Sequence, residues 1–572
     1  MPSPLLLACA LLSAALPCVT PLDVLVLGST PAAIAAAIAA AQTNASVALL
    51  DTAARLGGLM SGGLGYTDVG DAFALGGVAR EVFLANARHY NASAQQPLYQ
   101  VEPHVAQEVF AQLLQRAGVA YLAAPGQTLA AVQQQGGRLT GLTLSSGAQH
   151  SASVFIDGTY EGDLIVASGT PFAVGRESSA AYNESWAGRR EPFGYPFDSR
   201  PISPLDASGA LLPLLTARVS APLHSGDAGT QGYNFRLCVV KRSESPGNFL
   251  PFPQPQPYNA SRWELLRRLA ALPGMDSVEK FVALGPLPPH GTKYDLNNGA
   301  LFSTDYTGGS WGYPLANATS RAAILEDHLQ YTLQFFHTLA SDPALPASLR
   351  ASAADLGLCA DEFADSARAP GWPEQLYVRE VLRLRGERVL AQGSVWAEGG
   401  GGGGGGGGRL QPATDWGSAS IGLGSYAADG HYVTRGPCVA RNDSATGKPA
   451  CSMVTSEAQL AAAAAAGTLW TGGEGYVGPT SSYMLYQVPY FALLPARSAL
   501  NLLSPTCPSV THVVFASLRV EPTFMVLGHA AGVAAALAAQ QRVAVQDLAP
   551  ADVHQELARQ GAVLCVERYP HC

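Results

Sequence analysis

Hydrophobic residues along the chain fall into short unbroken runs separated by alanine-rich stretches. Residues 23–27 (Asp-Val-Leu-Val-Leu), 47–50 (Val-Ala-Leu-Leu) and 154–156 (Val-Phe-Ile) have the length and composition of buried strands. After the first strand, an Ala- and Ile-rich segment runs to about Ala41 and predicts a helix. Strands without polar alternation, interleaved with helices, predict a parallel sheet covered by helices and hence an α/β fold. Late in the chain, residues 525–539 form a long apolar stretch that contains Gly528, His529 and Gly532 and stops at Gln540-Gln541-Arg542. This predicts a buried helix of an α/β domain, not a membrane span. At the other end, residues 5–16 are an apolar run of Leu and Ala followed by Pro17-Cys18-Val19-Thr20. Such a run is too short to span a bilayer and reads as the core of a signal peptide covering residues 1–20.

Composition narrows the class. The chain has 572 residues, of which 48% are hydrophobic and 13% charged, and carries a net charge of −9. These values describe a packed, soluble enzyme-sized chain of two or three domains. Lys and Arg are scattered, so there is no basic stripe for nucleic acid. Residues 399–408 are all Gly, which predicts a disordered surface loop. The alanine run at 461–466 is compatible with a turn of helix or an insert.

Of twelve Asn, six head N-x-Ser/Thr sequons: Asn44, Asn91, Asn183, Asn259, Asn317 and Asn442. Chance at ordinary Ser and Thr content gives about two. Sequons have chemical meaning only in the secretory lumen, so they join the apolar N-terminus in predicting a secreted or lumenal glycoprotein. Of nine Cys, Cys9 and Cys18 fall in the signal segment. Cys438 and Cys451 bracket a short polar loop and predict a disulfide, and Cys565 and Cys572 are placed to form another. Cys238, Cys359 and Cys507 lie in apolar surroundings and read as buried thiols. No spacing suits zinc, so no metal site is expected.

The first strand ends at Gly28, followed by Ser29-Thr30-Pro31-Ala32-Ala33 and the predicted helix; the second ends at Asp51. This is the βαβ unit of a dinucleotide-binding domain. Amides at the helix start face a pyrophosphate, and an acidic residue at the end of the second strand accepts hydrogen bonds from the adenosine ribose. Of the three fingerprint glycines only Gly28 is present, with Thr30 and Ala33 at the other two positions. Ala is tolerated at the third position, whereas a Thr side chain at the second crowds the phosphate. Arg55-Leu56-Gly57-Gly58 and Gly62-Gly63 follow Asp51. A Gly pair there is a habit of flavoproteins of the glutathione-reductase type, whose backbone passes close to the cofactor.

The chain resembles the large family of FAD-dependent oxidoreductases that open with a strand-G-x-T-P-A turn. The resemblance is carried by "GGLGYTDVG" (62–70), "FIDGTYEGDL" (155–164), "VGRES" (174–178), "YNFRLC" (233–238), "DLNNGALFSTDYTG" (295–308), "GLCADEF" (357–363), "QLYVRE" (375–380), "GSYAADGH" (424–431), "QVPYFALLP" (487–495) and "THVVFASLRVEPTFMVLGHAAGVAAALA" (511–538). These segments span nearly the whole chain after residue 23.

The resemblance implies a Rossmann-type FAD domain that is discontinuous: residues 21–175 completed by 479–572, with an inserted α+β substrate domain at 176–478. It implies FAD, bound through Gly28, Ser29, Thr30, Pro31, Ala32, Asp51, Arg55, Gly57, Gly58, Gly63 and Asp157. It also implies a late helix beginning at Arg519, Pro522 and Thr523 whose N-terminus faces the flavin and stabilises charge on it when reduced. For the chemistry, His431 and His512 are candidate acid–base groups because imidazole titrates near neutrality. Arg236 is a candidate clamp on an anionic or polyhydroxylated substrate. With one dinucleotide fingerprint and no C-x-x-C after it, a disulfide reductase is not expected. The expected activity is an FAD-dependent oxidase or dehydrogenase acting on a small organic or carbohydrate-like substrate, with oxygen an available electron acceptor outside the cell. Two alternatives are a flavin-fold binding protein without turnover and an NAD-binding enzyme.

Overall fold

The computed structural model describes residues 22–92, 95–192, 199–217, 219–396, 414–442, 449–477 and 485–565. The predicted signal segment, the glycine run and Cys572 lie outside the described residues.

The three sequence-predicted strands are β1 (Leu22–Leu27), β2 (Val47–Asp51) and a later strand, β4 (Ala152–Asp157). With β3 (Ala120–Ala123) and the two-residue β5 (Leu502–Leu503) they form a parallel sheet in the order β5-β4-β1-β2-β3. Val24 pairs with Val47 on one side and Val154 on the other, so the hydrophobic run of β1 is buried on both edges and both faces. The pairing of Leu502 and Leu503 with Phe155 and Ile156 places the C-terminal segment in the same sheet as the N-terminus.

Between β1 and β2 runs α1 (Pro31–Gln42), buried over Pro31 to Ala40. The late apolar stretch forms α2 (Glu521–Gln541), two residues longer at its C-terminal end than the sequence pattern suggested. Among the described residues it is the one helix long and apolar enough to cross a membrane, and it is buried inside the protein. Small residues on both helices explain why they pack together. A Cβ on Gly528 would lie 2.1 Å from the Ala32 carbonyl oxygen, and one on Gly532 would lie 2.1 Å from that of Ala36. The backbones therefore touch, which side chains larger than Ala on α1 would prevent.

The middle of the chain builds a second, antiparallel sheet of five strands, in the order Phe249–Leu250, Leu356–Cys359, Leu237–Lys241, Lys293–Asn298 and Val282–Leu287. A four-stranded antiparallel sheet contains Thr434–Asn442 paired with Pro449–Met453 and Leu469–Glu474. The alanine run lies in a helix, Glu457–Ala465, capped by Ser456.

The cysteines differ in part from expectation. Cys438 and Cys451 are disulfide-bonded and Cys507 is a free buried thiol, as the sequence indicated. Cys238 and Cys359, read as buried thiols, form a second disulfide. They are 121 residues apart, and only the antiparallel register that pairs Val239 with Leu358 brings them opposite each other.

Candidate cofactor and active site

Gly28 ends β1 between β2 and β4, where the chain departs to different sides of the sheet. Ligands of open α/β folds bind at this switch point, outside the carboxyl ends of the strands. Gly28 has φ +103°, and a Cβ on it would lie 2.9 Å from the backbone of Gly158. Position 28 therefore excludes a side chain for both reasons. Thr30 does not project from the turn. Its hydroxyl donates to the Gly158 carbonyl (2.7 Å) and accepts from the Ala33 N–H (3.1 Å), capping α1. Pro31 has no N–H and Ile34 N–H bonds the Thr30 carbonyl, so the Ala32 N–H is the donor left open in the first turn among the described residues.

Gly57 donates its N–H to the Ser29 carbonyl (2.9 Å), laying the 57–58 backbone on this turn. A Cβ on Gly58 would sit 2.6 Å from the Tyr160 hydroxyl and 3.0 Å from Thr30 Cα. A Cβ on Gly57 would be 2.7 Å from both the Phe110 ring and Ser61 Oγ. The pair is thus required by protein packing around the turn. Gly63 abuts Arg236, whose carbonyl oxygen would lie 2.0 Å from an added Cβ.

Asp51 is buried; Tyr121 Oη donates to it (2.7 Å), as does the Ala53 N–H (2.9 Å). Burial raises its pKa, partly offset by hydrogen bonds from Ser29 and Tyr121. Arg55 pairs with exposed Asp365. Asp157 holds its own loop. Its carboxylate accepts from Thr159 Oγ1 and from the N–H groups of Thr159, Leu164 and Ile165, and burial with nearby Asp163 pushes it up to about 7.

Two cavities bear on the site. One, of about 390 Å³, is bordered by Leu27 and Thr52 at the ends of β1 and β2, with Thr128, Asp163, Val166 and Leu315. The residues present therefore fit a dinucleotide: a switch-point turn, an open helix-start amide and a cavity at the end of β2 for an adenosine.

The second cavity, of about 380 Å³, is lined mainly by polar side chains, among them Asp68, Asn298, Tyr377, Asp429 and His431. His431 Nδ1 lies 2.8 Å from Asp305 Oδ2, and its Nε2 lies 3.5 Å from Asp429 Oδ2. Arg379 stands 3.0 Å behind Asp305. Burial opposes ionisation of Asp305, but Arg379 and His431 outweigh it and hold the carboxyl below its ordinary range. In the neutral imidazole a carboxylate there accepts the Nδ1 proton and leaves Nε2 as the nitrogen without one. Asp429 is likewise held low, against burial, by His431 and Arg519. Burial, and then Asp429, push Asp68 the other way.

The other candidates are distributed around this centre. Arg236 lines the cavity, but its guanidinium is committed to Asp295, with Nε 3.0 Å from Oδ1. Arg519 follows the helix His512–Leu518 and donates to the carboxylate of Asp429 (2.8 Å) and to Tyr377 Oη (3.4 Å). Pro522 and Thr523 are in the first turn of α2. His512 does not line the cavity; it is buried 3.0 Å from Glu380, with its N–H on Glu177. Asp68, Tyr377 and Asp429 were missed as individual residues, although each lies inside a quoted motif, "GGLGYTDVG", "QLYVRE" and "GSYAADGH". Elsewhere Glu102, His104 and Glu362 converge as metal ligands do, but the Lys293 ammonium sits among them, 2.9 Å from Glu362 Oε1.

A family model described as FAD dependent oxidoreductase matches residues 23–557. No curated protein matches the chain. Among solved structures it is similar to the flavin-dependent brominase Bmp2 (18% identity, TM-score 0.19, covering 24% of this chain and 38% of that one). It is also similar to a thioredoxin reductase from Streptococcus pyogenes (20%, 0.16, 24% and 35%) and to L-proline dehydrogenase from P. horikoshii (10%, 0.22, 28% and 58%). The chain thus spans less than two thirds of each, and likenesses at these TM-scores carry no argument about its substrate.

Proposed function

Because the chain belongs to the FAD-dependent oxidoreductase family, we propose that it is an FAD-dependent oxidase or dehydrogenase acting on a small polar, carbohydrate-like substrate in the secretory lumen or outside the cell. The observation that carries the chemistry is the cavity holding His431 against Asp305. Bound FAD supplies a two-electron acceptor for hydride from a substrate carbon. His431 Nε2 takes the proton of the substrate hydroxyl, and Asp305 fixes the tautomer that makes this possible. Asn297, Asn298, Tyr377 and Tyr426 offer donors and acceptors suited to neighbouring hydroxyl groups. In this reading Arg519 and the start of α2 stabilise negative charge on the cofactor, as a guanidinium and a helix N-terminus do.

The secretory assignment draws on exposure. All six sequon asparagines are exposed, whereas the other six (Asn86, Asn234, Asn248, Asn297, Asn298 and Asn501) are buried or half-buried. A chain whose sequons arose by chance has no reason to partition this way. The test is secretion of the full chain from a eukaryotic host, followed by glycosidase treatment and release of the cofactor. A mass shift, released FAD and flavin bleaching by a sugar or polyol, with peroxide formed if oxygen is the acceptor, are the expected results. Absence of a mass shift overturns the location, and absence of bleaching across polyols and sugars overturns the substrate class.

A further inference from the structure

Glu521 is the first residue of α2 and is 2% exposed. Its Oε1 accepts a hydrogen bond from Tyr160 Oη (2.7 Å), and Tyr160 Oη accepts the Leu59 N–H (2.9 Å). Its Oε2 is buried and has no hydrogen-bond partner among the described residues. The same Tyr160 hydroxyl is the atom that a Cβ on Gly58 would strike, beside Thr30 Cα and Pro31 Cδ. The unpartnered carboxyl oxygen therefore belongs to a cluster packed on the Gly28–Pro31 turn. A buried polar atom left unsatisfied is destabilising, which calls for an explanation.

We propose that Glu521 binds FAD as the neutral acid, with Oε2 donating a hydrogen bond to an oxygen of the cofactor's diphosphate. This rests on the reading that the turn holds the diphosphate. That group is doubly negative, and the turn offers it few donors: Pro31 has no N–H and the Ala33 N–H is already capped by Thr30. An ionised carboxylate at Glu521 would repel it, whereas a carboxylic acid supplies a donor. Burial favours the acid, pushing Glu521 up to about 8 against the hydrogen bond from Tyr160. The groups facing it are few. Tyr160 is the titratable partner, its phenol pushed up by burial, then by Glu521 itself and, more weakly, by Glu161. Helix α1, packed alongside, carries no ionisable side chain between Pro31 and Gln42. Asp157, at the end of β4, titrates lower, at about 7.

Binding linked to protonation makes affinity depend on pH in a defined window. With an unliganded value near 8, FAD binding weakens about tenfold between about pH 7 and about pH 9. The experiment follows FAD dissociation from the holoprotein by the rise in flavin fluorescence on dilution, for wild type and for Glu521→Gln. The expected result is that tenfold loss in wild type and its disappearance in Glu521→Gln, which retains a donor but cannot ionise. A second measurement needs no variant: the infrared carbonyl band of a protonated carboxylic acid should shift when FAD is added at neutral pH. Wild-type affinity that is flat over the window, an unchanged slope in Glu521→Gln, or an unshifted band overturns the inference while leaving FAD binding intact. Failure to bind FAD at any pH overturns the turn assignment and the inference with it.

Discussion

Placing a methyl group on Gly532 tests whether backbone contact between α1 and α2 sets the position of the cofactor turn. The added Cβ would fall 2.1 Å from the Ala36 carbonyl oxygen, 2.8 Å from its carbon and 2.9 Å from its Cα. Ordinary carbon–oxygen contact is about 3.3 Å, so the helices must separate by about 1.2 Å. Neither partner can rotate away, because the obstacle is backbone rather than a flexible side chain. Overpacking of this kind is destabilising by about 1–3 kcal/mol, and rigid backbone favours the upper end. Ala gains back up to about 1 kcal/mol over Gly inside a helix, leaving a net loss of about 1–2 kcal/mol. At about 2.1 cal/mol/K of unfolding entropy per residue, a chain of this length shifts by about 1 °C per kcal/mol, so the melting temperature should fall by about 1–2 °C. Because α1 carries the Ala32 N–H at its start, FAD affinity should fall as well. Scanning calorimetry with and without added FAD reads both effects. Gly393→Ala is the control: it lies in a short helix with no heavy atom within 4 Å of its added Cβ. Its melting temperature should match or slightly exceed wild type, since the helix-propensity gain of Ala meets no clash there. If Gly532→Ala melts at or above wild type, the close-contact account of the two helices is wrong.

Three further outcomes follow from the site. Asp305→Asn should slow substrate-dependent flavin bleaching by about 10²–10⁴-fold while leaving FAD content unchanged, because the Nδ1 partner of His431 no longer bears charge; stopped-flow absorbance reads the rate. Arg519→Ala removes the guanidinium from Asp429 and should lower the flavin reduction potential or weaken retention of FAD; full occupancy at an unchanged potential, measured by dye-linked titration, contradicts the assignment. Glu380 is buried, yet His512 and Arg383 hold it down to about 2 from an ordinary 4.5. A depressed carboxyl stabilises the fold above its unfolded value and loses that contribution as pH falls through the window from 4.5 to about 2, so thermal stability should drop across that window and the slope should shrink in Glu380→Gln.

The parts of this fold that could be read from sequence are those governed by local rules. Unbroken apolar runs marked β1, β2 and β4, and the alanine-rich stretch marked α1, because strand and helix periodicities are short-range. The Cys438–Cys451 bridge was legible for the same reason, since thirteen residues and one hairpin separate its ends. The Cys238–Cys359 bridge was not, because it depends on which distant strands become neighbours and in what register. The active-site cluster divides along the same line. His431 stood out by residue type. Asp68, Tyr377 and Asp429 become candidates only once five separate motifs are folded around one cavity. His512 illustrates the converse: a histidine in a family motif need not line the cavity, and here Glu380 and Glu177 account for its surroundings.

The two departures from the glycine fingerprint show how a local rule is met by non-local means. The third fingerprint position favours a small residue because the first helix packs against the sheet there. Ala33 fills that position, and an added Cβ on Gly158 would lie 2.5 Å from its methyl group. The space that Gly at 33 would leave is supplied instead by Gly at 158, on the chain leaving β4. Thr30 follows the same logic with polarity instead of volume. A side chain at the second position obstructs a phosphate only if it points outward, and Gly158 offers a carbonyl at 2.7 Å that draws the hydroxyl inward. The capping bond to Ala33 then uses one helix-start amide and leaves that of Ala32, so a diphosphate at this turn gains from a further donor. The Oε2 of a neutral Glu521 beside the turn supplies that donor, which ties the loss of the second and third glycines to an acid almost five hundred residues away in the chain.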